Sequence, residues 1–600
     1  MGNVTEKISA LRVAMEKAGV QAYVIPSSDP HLSEYPPEHW KARRYFSGFT
    51  GSAGTLVVTP LKSGLWTDGR YFIQAERELR GSGIRLYRMG VRGVPSYPEF
   101  LARELKNGDT AGLDGSLFSV SEVQRIKDFF REKGIRIRSV DLTEGIWKDR
   151  PPIPRTEAFL HDVKYAGFSS SEKISMVREK LKEYGADSQI YVRLDCVAWL
   201  MNLRASDVED SPFAVAFAAV TPGETDLFID SSRVPAGTAA NLRENGVTLR
   251  GYHEILPFLQ NTRSRKIVLC DPSSTSYAVY EALKSNPDVT LREGPDLVYE
   301  MKSVKNETEL QNIRGVHVED GCAMAEAFST LSELLSNGEP VTEYTVCELL
   351  QKARSRQPGN RGISFGTIAA YRANAAMMHY APKPDACSSL ERSSLLLVDS
   401  GGQYLGGTTD VTRTFALGPL TDEERKAYTV VLKAHIALEN AVFWEGCTGG
   451  NIDILCREPV WKYGIDYRCG TGHGVGMFGN VHEGPQNLRR TDDTVFRKGM
   501  LITNEPGIYT EGKYGIRIEN MMEVVDAFDD EYGHFLKFRP LTCFPIDTSP
   551  VLTDLLSDGE IAWLNSYHKR VRETLAPHLS GKALDWIGRH TRPLSRRRAG

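Results

Sequence analysis

Five side chains able to hold metal ions lie in short patches of the second half of the chain: Asp399 in SSLLLVDSGG, Asp410 in GGTTDVTRTF, His473 in CGTGHGVG, Glu505 in LITNEPG and Glu519 in GIRIEN. Each carboxylate sits at the end of, or inside, a run that reads as a buried strand. A buried carboxylate costs several kcal/mol unless it is paired or bound to a metal. Arg413 and Arg517 are the nearby cations visible in the sequence, too few for four acids. Two divalent ions would balance them. Four oxygen donors and one imidazole, without thiolate, suit Mn²⁺ or Mg²⁺, with Zn²⁺, Co²⁺ or Fe²⁺ able to substitute. Such a pair shares a water that ionises near neutrality and attacks a carbonyl, so the chemistry expected is metal-assisted hydrolysis without a Ser or Cys nucleophile.

Three further side chains belong beside this set. His379 in MMHYAP and His482 in NVHEGP both precede turn-like triplets. Arg517 lies two residues before Glu519, and strand alternation would put both on one face, where the cation could orient the acid and balance its charge. Gly474 to Gly479 match GxGxxG, but Pro485 breaks the helix that a dinucleotide site needs, so that function is set aside.

These residues must be positioned by strands and helices that the sequence also signals. LLLV at 395–398 is a short apolar run, expected to be a strand covered on both faces. The turn-rich SGGQYLGG after Asp399 suggests a return that sets Asp399 and Asp410 side by side. Residues 409–415 and 516–525 alternate as strands. Asn306 should cap a long helix through Leu310, Ile313, Met324, Phe328, Leu331 and Leu335. The Thr421–Glu424 and Ser557–Glu560 capping boxes should start two more. The first of these carries Ala427, Val430, Val431, Ala434, Leu438 and Val442; the second carries Ile561, Leu564, Tyr567, Val571 and Leu575.

The front half carries a repeat. VVTPLKSGLWTDGR at 57–70 and AVTPGETDLFIDSSR at 219–233 share Thr-Pro, a turn and a strand ending in Asp68 or Asp230, 162 residues apart. Two related α/β domains follow from it. The expected organisation is residues 1–155 and 156–303 as the related α/β domains, 304–579 as the catalytic domain, and 580–600 as a basic, disordered tail ending SRRRAG.

With 600 residues, one core is too few. A formal net charge of -4 and pI near 6.4 call for neither nucleic acid nor an anionic membrane. No apolar run reaches the ~18 residues of a membrane span, and MGNVTEKISALRVAMEKAG reads as a polar amphipathic helix rather than a leader. Glu6 stands where a myristoylation signal needs Ser or Thr. Nine scattered cysteines suit free thiols in a reducing compartment.

In order and spacing the patches resemble the pita-bread metallopeptidases: methionine aminopeptidase, prolidase and aminopeptidase P. The likeness is nearest to the three-domain cytosolic Xaa-Pro aminopeptidases. It is carried by EYPPEHWKARRYFSGFTGSAGTLVVT and LWTDGRYFIQAE, by DCVAWLMNLRASDVEDSPF, and by YEMKSVKNETEL, HYAP, VDSGGQY, GTTDVTRTF, GTGHGVG, VHEGP, NEPGIY and GIRIEN. The resemblance implies an α/β (α+β) chain: two creatinase-type N-terminal α/β domains, then a pita-bread domain. It implies removal of the first residue of peptides with proline second, two ions, usually Mn²⁺, a homodimer and a cytoplasmic location. By position, Asp399 would serve one ion, Asp410 and Glu519 would bridge, and His473 and Glu505 would complete the other. His379 and His482 match the substrate and transition-state histidines. One residue departs: Cys469 stands where the family usually has histidine before Gly-Thr-Gly-His-Gly, and a thiol cannot hydrogen-bond as an imidazole does. Two other readings remain, a dipeptidase limited to Xaa-Pro and a non-catalytic binding protein of this fold.

Overall fold

The computed structural model describes residues 3–261 and 265–596. They fall into two compact units, with the chain passing between them after Val163, Gly167 and Met301.

The first unit opens on the expected helix, Val4–Ala18, and contains two six-stranded sheets. One runs Arg85–Arg88, Ser63–Thr67, Thr55–Val58, Ala22–Ile25, Thr110–Leu113, Arg136–Ser139. The other runs Val247–Arg250, Thr225–Phe228, Phe217–Val220, Ser188–Tyr191, Lys266–Cys270, Val289–Glu293. Every neighbouring pair has the same sense in both sheets: parallel, antiparallel, antiparallel, parallel, parallel. The repeated Thr-Pro makes the same hairpin turn twice. Thr59 N–H donates to Lys62 O at 2.8 Å and Thr221 N–H to Glu224 O at 2.9 Å, while each Thr hydroxyl accepts the N–H three residues on. Pro at the second turn position fixes φ for that geometry. Asp68 and Asp230 then each accept the N–H two residues on, both at 3.1 Å, which stops the strand.

In the second unit Asn306 caps the helix Glu307–Ser336, and Thr421 and Ser557 cap Asp422–Glu439 and Asp558–Leu575, each with its capping box or reciprocal Glu. Leu395–Ser400 is buried throughout and lies between Ile368–Tyr371 and Val411–Ala416, antiparallel to both. A four-stranded sheet runs Val442–Trp444, Gly533–Pro540, Asn520–Asp530, Leu501–Asn504. Gly507–Thr510 pairs with Tyr514–Arg517.

Three expectations are corrected. The stretch 516–525 is two strands, not one. Glu519 N–H turns away to donate to Thr412 O at 3.0 Å, so Tyr514–Arg517 and Asn520–Asp530 pair with different partners. Val442 lies past the end of its helix, half-exposed on an edge strand. The segment after Leu579 is not a disordered tail: Gly581–His590 is helical, with Ala583, Trp586 and Ile587 buried on one face. Trp586 stacks on Phe544 at 5.5 Å and donates to Ser332 Oγ at 2.9 Å, so apolar burial at i, i+3, i+4 outweighs the basic composition. The final four residues of that expectation lie outside the described residues.

Candidate metal centre

Asp399 stands opposite Thr412 on the neighbouring strand, and Asp410 precedes that strand. The chain between them folds back as the short hairpin Gly402–Tyr404 and Gly407–Thr408. The return is tight enough that a Cβ on Gly401 would lie 1.9 Å from Thr409 O, so glycine is required there. His473 sits on a two-residue strand against Asn487. Glu505 follows Leu501–Asn504, its N–H held by Thr471 O at 2.8 Å. Glu519 occupies the strand break described above.

These elements bring the candidates together. Ligand atoms of Asp410, His473 and Glu519 all lie within 4.8 Å of one another. His473 Nε2 is 3.5 Å from Asp410 Oδ2 and 3.3 Å from Glu505 Oε1. His473 Nδ1 is 3.0 Å from Gly474 O, a contact that places a proton on Nδ1, so the nitrogen on the side of the acids, and the one a metal would take, is Nε2. Arg517 Nη2 donates to Asp399 Oδ2 at 2.5 Å, Nη1 to the Tyr509 hydroxyl at 2.6 Å, and Nε to Thr412 Oγ1 at 3.1 Å. The Thr412 hydroxyl donates to Glu519 Oε2 at 2.7 Å.

Crowded acids under burial resist ionisation. Burial first, then the charges of Glu519, Asp399 and Glu505, push Asp410 well above the carboxylate range, with Arg517 opposing. Burial, then Asp399 and Glu505, do the same to Glu519. Burial chiefly, against the opposing pull of Arg517, pushes Glu505 up to about 6. Among the described residues, Asp399 Oδ1 and Glu519 Oε1 are buried without a hydrogen-bond donor. A hard cation fits this donor set: it would engage those two oxygens and favour the charged forms of Asp410, Glu505 and Glu519.

The His473 and His482 rings meet edge to face, centroids 4.2 Å apart, and His482 is near enough to Glu505 to favour its charged form. His379 follows Met378, whose carbonyl is 3.5 Å from Arg517 Nη2. Arg517 hydrogen-bonds Asp399 rather than Glu519, because the strand breaks between Arg517 and Glu519 and alternation does not carry across. Thr412 and Tyr509 were missed. Thr412 was findable, since strand alternation puts Asp410, Thr412 and Thr414 on one face. Cys469 lies near Tyr509, its carbonyl held by Arg457 Nη2 at 2.7 Å; burial chiefly raises the Tyr509 phenol, Arg517 opposes, and Cys469 is among the lesser causes raising it.

Comparison with known proteins agrees with this architecture. Residues 311–526 match the model of Metallopeptidase family M24, and 534–594 match the C-terminal region of peptidase_M24. Residues 7–150 and 149–309 each match a Creatinase/Prolidase N-terminal domain. Aminopeptidase P2 of Arabidopsis thaliana is 39% identical over 99% of this chain and 89% of its own length. A probable Xaa-Pro aminopeptidase P of Laccaria bicolor is also 39% identical, over 99% and 94%. The chain belongs to the aminopeptidase P family of metallopeptidases. An X-prolyl aminopeptidase from Caenorhabditis elegans, described as a cytosolic enzyme with a di-nuclear active site, superposes with a TM-score of 0.95 at 33% identity, covering 99% of this chain and 100% of that one. For an aminopeptidase P, the duplicated front sheets and the pita-bread catalytic unit are the family's own arrangement.

Proposed function

We propose that this chain is an Xaa-Pro aminopeptidase that hydrolyses the bond between the first residue of a peptide and a following proline, using two divalent ions, Mn²⁺ foremost. The convergence of Asp399, Asp410, His473, Glu505 and Glu519 on one buried acidic cluster carries this reading. Asp410 and Glu519 would contact both ions, Asp399 one, and His473 with Glu505 the other. When bound, the ions supply Lewis-acid polarisation of the scissile carbonyl and a water acidic enough to ionise near neutrality. The chain's own groups do the rest. Arg517 fixes Asp399, and Thr412 fixes one oxygen of Glu519, leaving the other for a ligand. His379 and His482 hold the substrate carbonyl as it becomes tetrahedral and shuttle protons to the leaving nitrogen. That nitrogen belongs to a tertiary amide with no N–H, so a site shaped for the ring need supply no acceptor there.

Purified chain given an Xaa-Pro-Xaa tripeptide should release the first residue with added Mn²⁺ and stop in chelator; equal rates in both would end the reading. A tripeptide cleaved as readily as Xaa-Pro excludes the dipeptidase alternative. Cys469→His, restoring the residue the family usually carries, is expected to raise kcat/KM and shift its acid limb as a new imidazole titrates. An unchanged rate and pH profile would make the position incidental.

We further infer a cytoplasmic homodimer. All nine cysteines are free thiols, as a reducing compartment keeps them. Exposed Trp444 and Phe528 both stand opposite Phe535 in the register of the same sheet, with Val442 and Tyr532 also exposed nearby in the chain, an apolar edge suited to a second copy. Sedimentation should give twice the 66.8 kDa chain mass; a monomer at micromolar concentration would refute it.

A further inference from the structure

Glu343 begins the helix Glu343–Arg354 and is fully buried. Among the described residues its carboxylate's hydrogen-bond partners are all neutral donors. Oε1 accepts Tyr371 N–H at 2.6 Å and Asn374 Nδ2 at 3.0 Å. Oε2 accepts the Tyr380 hydroxyl at 2.8 Å and Ser388 N–H at 2.7 Å. Glu343 N–H in turn donates to Ser388 O at 3.0 Å. All four donors belong to the segment 371–388, which joins two strands of the sheet bearing Asp399 and carries His379. One carboxylate thus gathers the start, middle and end of that segment. The helix N-terminus lends it positive potential.

The other side of the segment meets the metal centre. Met378 O is 3.5 Å from Arg517 Nη2, and a Cβ on Gly515 would lie 1.8 Å from Ala375 O, so the segment is pressed against the strand of Arg517. His379 stands between Met378, which faces Arg517, and Tyr380, which is tied to Glu343. We infer that Glu343 is a positioning residue that sets the imidazole of His379 against the substrate, acting through Tyr380 and Asn374. This rests on the role proposed above for His379.

Glu343→Gln keeps the shape but turns an NH₂ group toward N–H and O–H donors, so one half of the clamp opens. Metal content should be unchanged, with kcat lower by about tenfold and KM little altered. The deciding readout is a double-mutant cycle. On a His379→Ala background, Glu343→Gln should cost less than about twofold, because the group it positions is gone. Tyr380→Phe, which removes one donor and leaves the backbone ties, should show the same dependence with a smaller loss, and it covers the case in which Glu343→Gln does not fold. Equal losses with and without His379, or wild-type kcat in folded, metal-loaded Tyr380→Phe, would overturn the inference. His379→Ala with wild-type kcat would instead remove the role assigned to His379, and the inference with it, leaving the metal-centre reading intact.

Discussion

Glu519→Gln is expected to lower Xaa-Pro hydrolysis by about a thousandfold or more and, at the same time, to stabilise the metal-free chain. The first effect follows from losing a carboxylate proposed to touch both ions, since several kcal/mol of charge stabilisation go with the metals and ~4 kcal/mol is about a thousandfold in rate. The second follows from the state of the site without metal. Glu519 is almost fully buried, has one oxygen without a donor, and is held well above the carboxylate range by burial and by Asp399 and Glu505. A neutral amide of the same shape escapes that repulsion, which is worth ~1–3 kcal/mol. The pH dependence has a definite sign. An acid whose folded pKa is raised binds more protons folded than unfolded, so the metal-free chain loses stability as pH rises above the unfolded carboxyl value of ~4.3. For Glu505 this ends at about 6, while Asp410 and Glu519 carry it higher. Melting curves in chelator should therefore fall with pH, less steeply for Glu519→Gln, and added metal should reverse the ranking of the two proteins because ions bind the wild type. A variant that melts below wild type in chelator would contradict this account.

How much of this was legible in the sequence depended on whether a residue's type announced its role. The clustering of four acids and a histidine was legible in that way, because few environments tolerate so many buried carboxylates. The strand Leu395–Ser400 and the capped helices were equally legible, since apolar period and capping residues are local signals. The repeat was legible through its Thr-Pro turns. The partner of Arg517 was not, since it depends on where Glu519 N–H finds an acceptor, and Thr412 is more than a hundred residues away. The helix Gly581–His590 was hidden by its basic surroundings, although Ala583, Trp586 and Ile587 already had helical spacing. Glu343 was illegible for a different reason: a polar residue at a helix start is ordinary, and its clamp exists only once a distant segment folds over it.

Arg517→Met should have the opposite effect on the metal-free chain. Arg517 is buried and its fork reaches Asp399, Thr412 and Tyr509 together. Removing it takes away a positive charge that opposes the raised pKa of Asp410, Glu505 and Glu519, and leaves Asp399 Oδ2 without its ion pair. Breaking a buried pair costs about 3–5 kcal/mol, less where the stranded acid can take up a proton. Bound ions supply the missing positive charge, so the loss should shrink in the loaded protein, and the variant should depend more on metal for folding than wild type does. Activity should still fall by about 10–100-fold, because Asp399 and the Met378 carbonyl lose the group that aligns them. Arg517→Lys should lie between, since an ammonium restores charge but cannot fork to three partners. The two substitutions thus both lower turnover, by different amounts, while moving metal-free stability in opposite directions. A site held together by packing alone would be destabilised by both, so melting Glu519→Gln and Arg517→Met in chelator separates an electrostatic centre awaiting cations from an ordinary polar core.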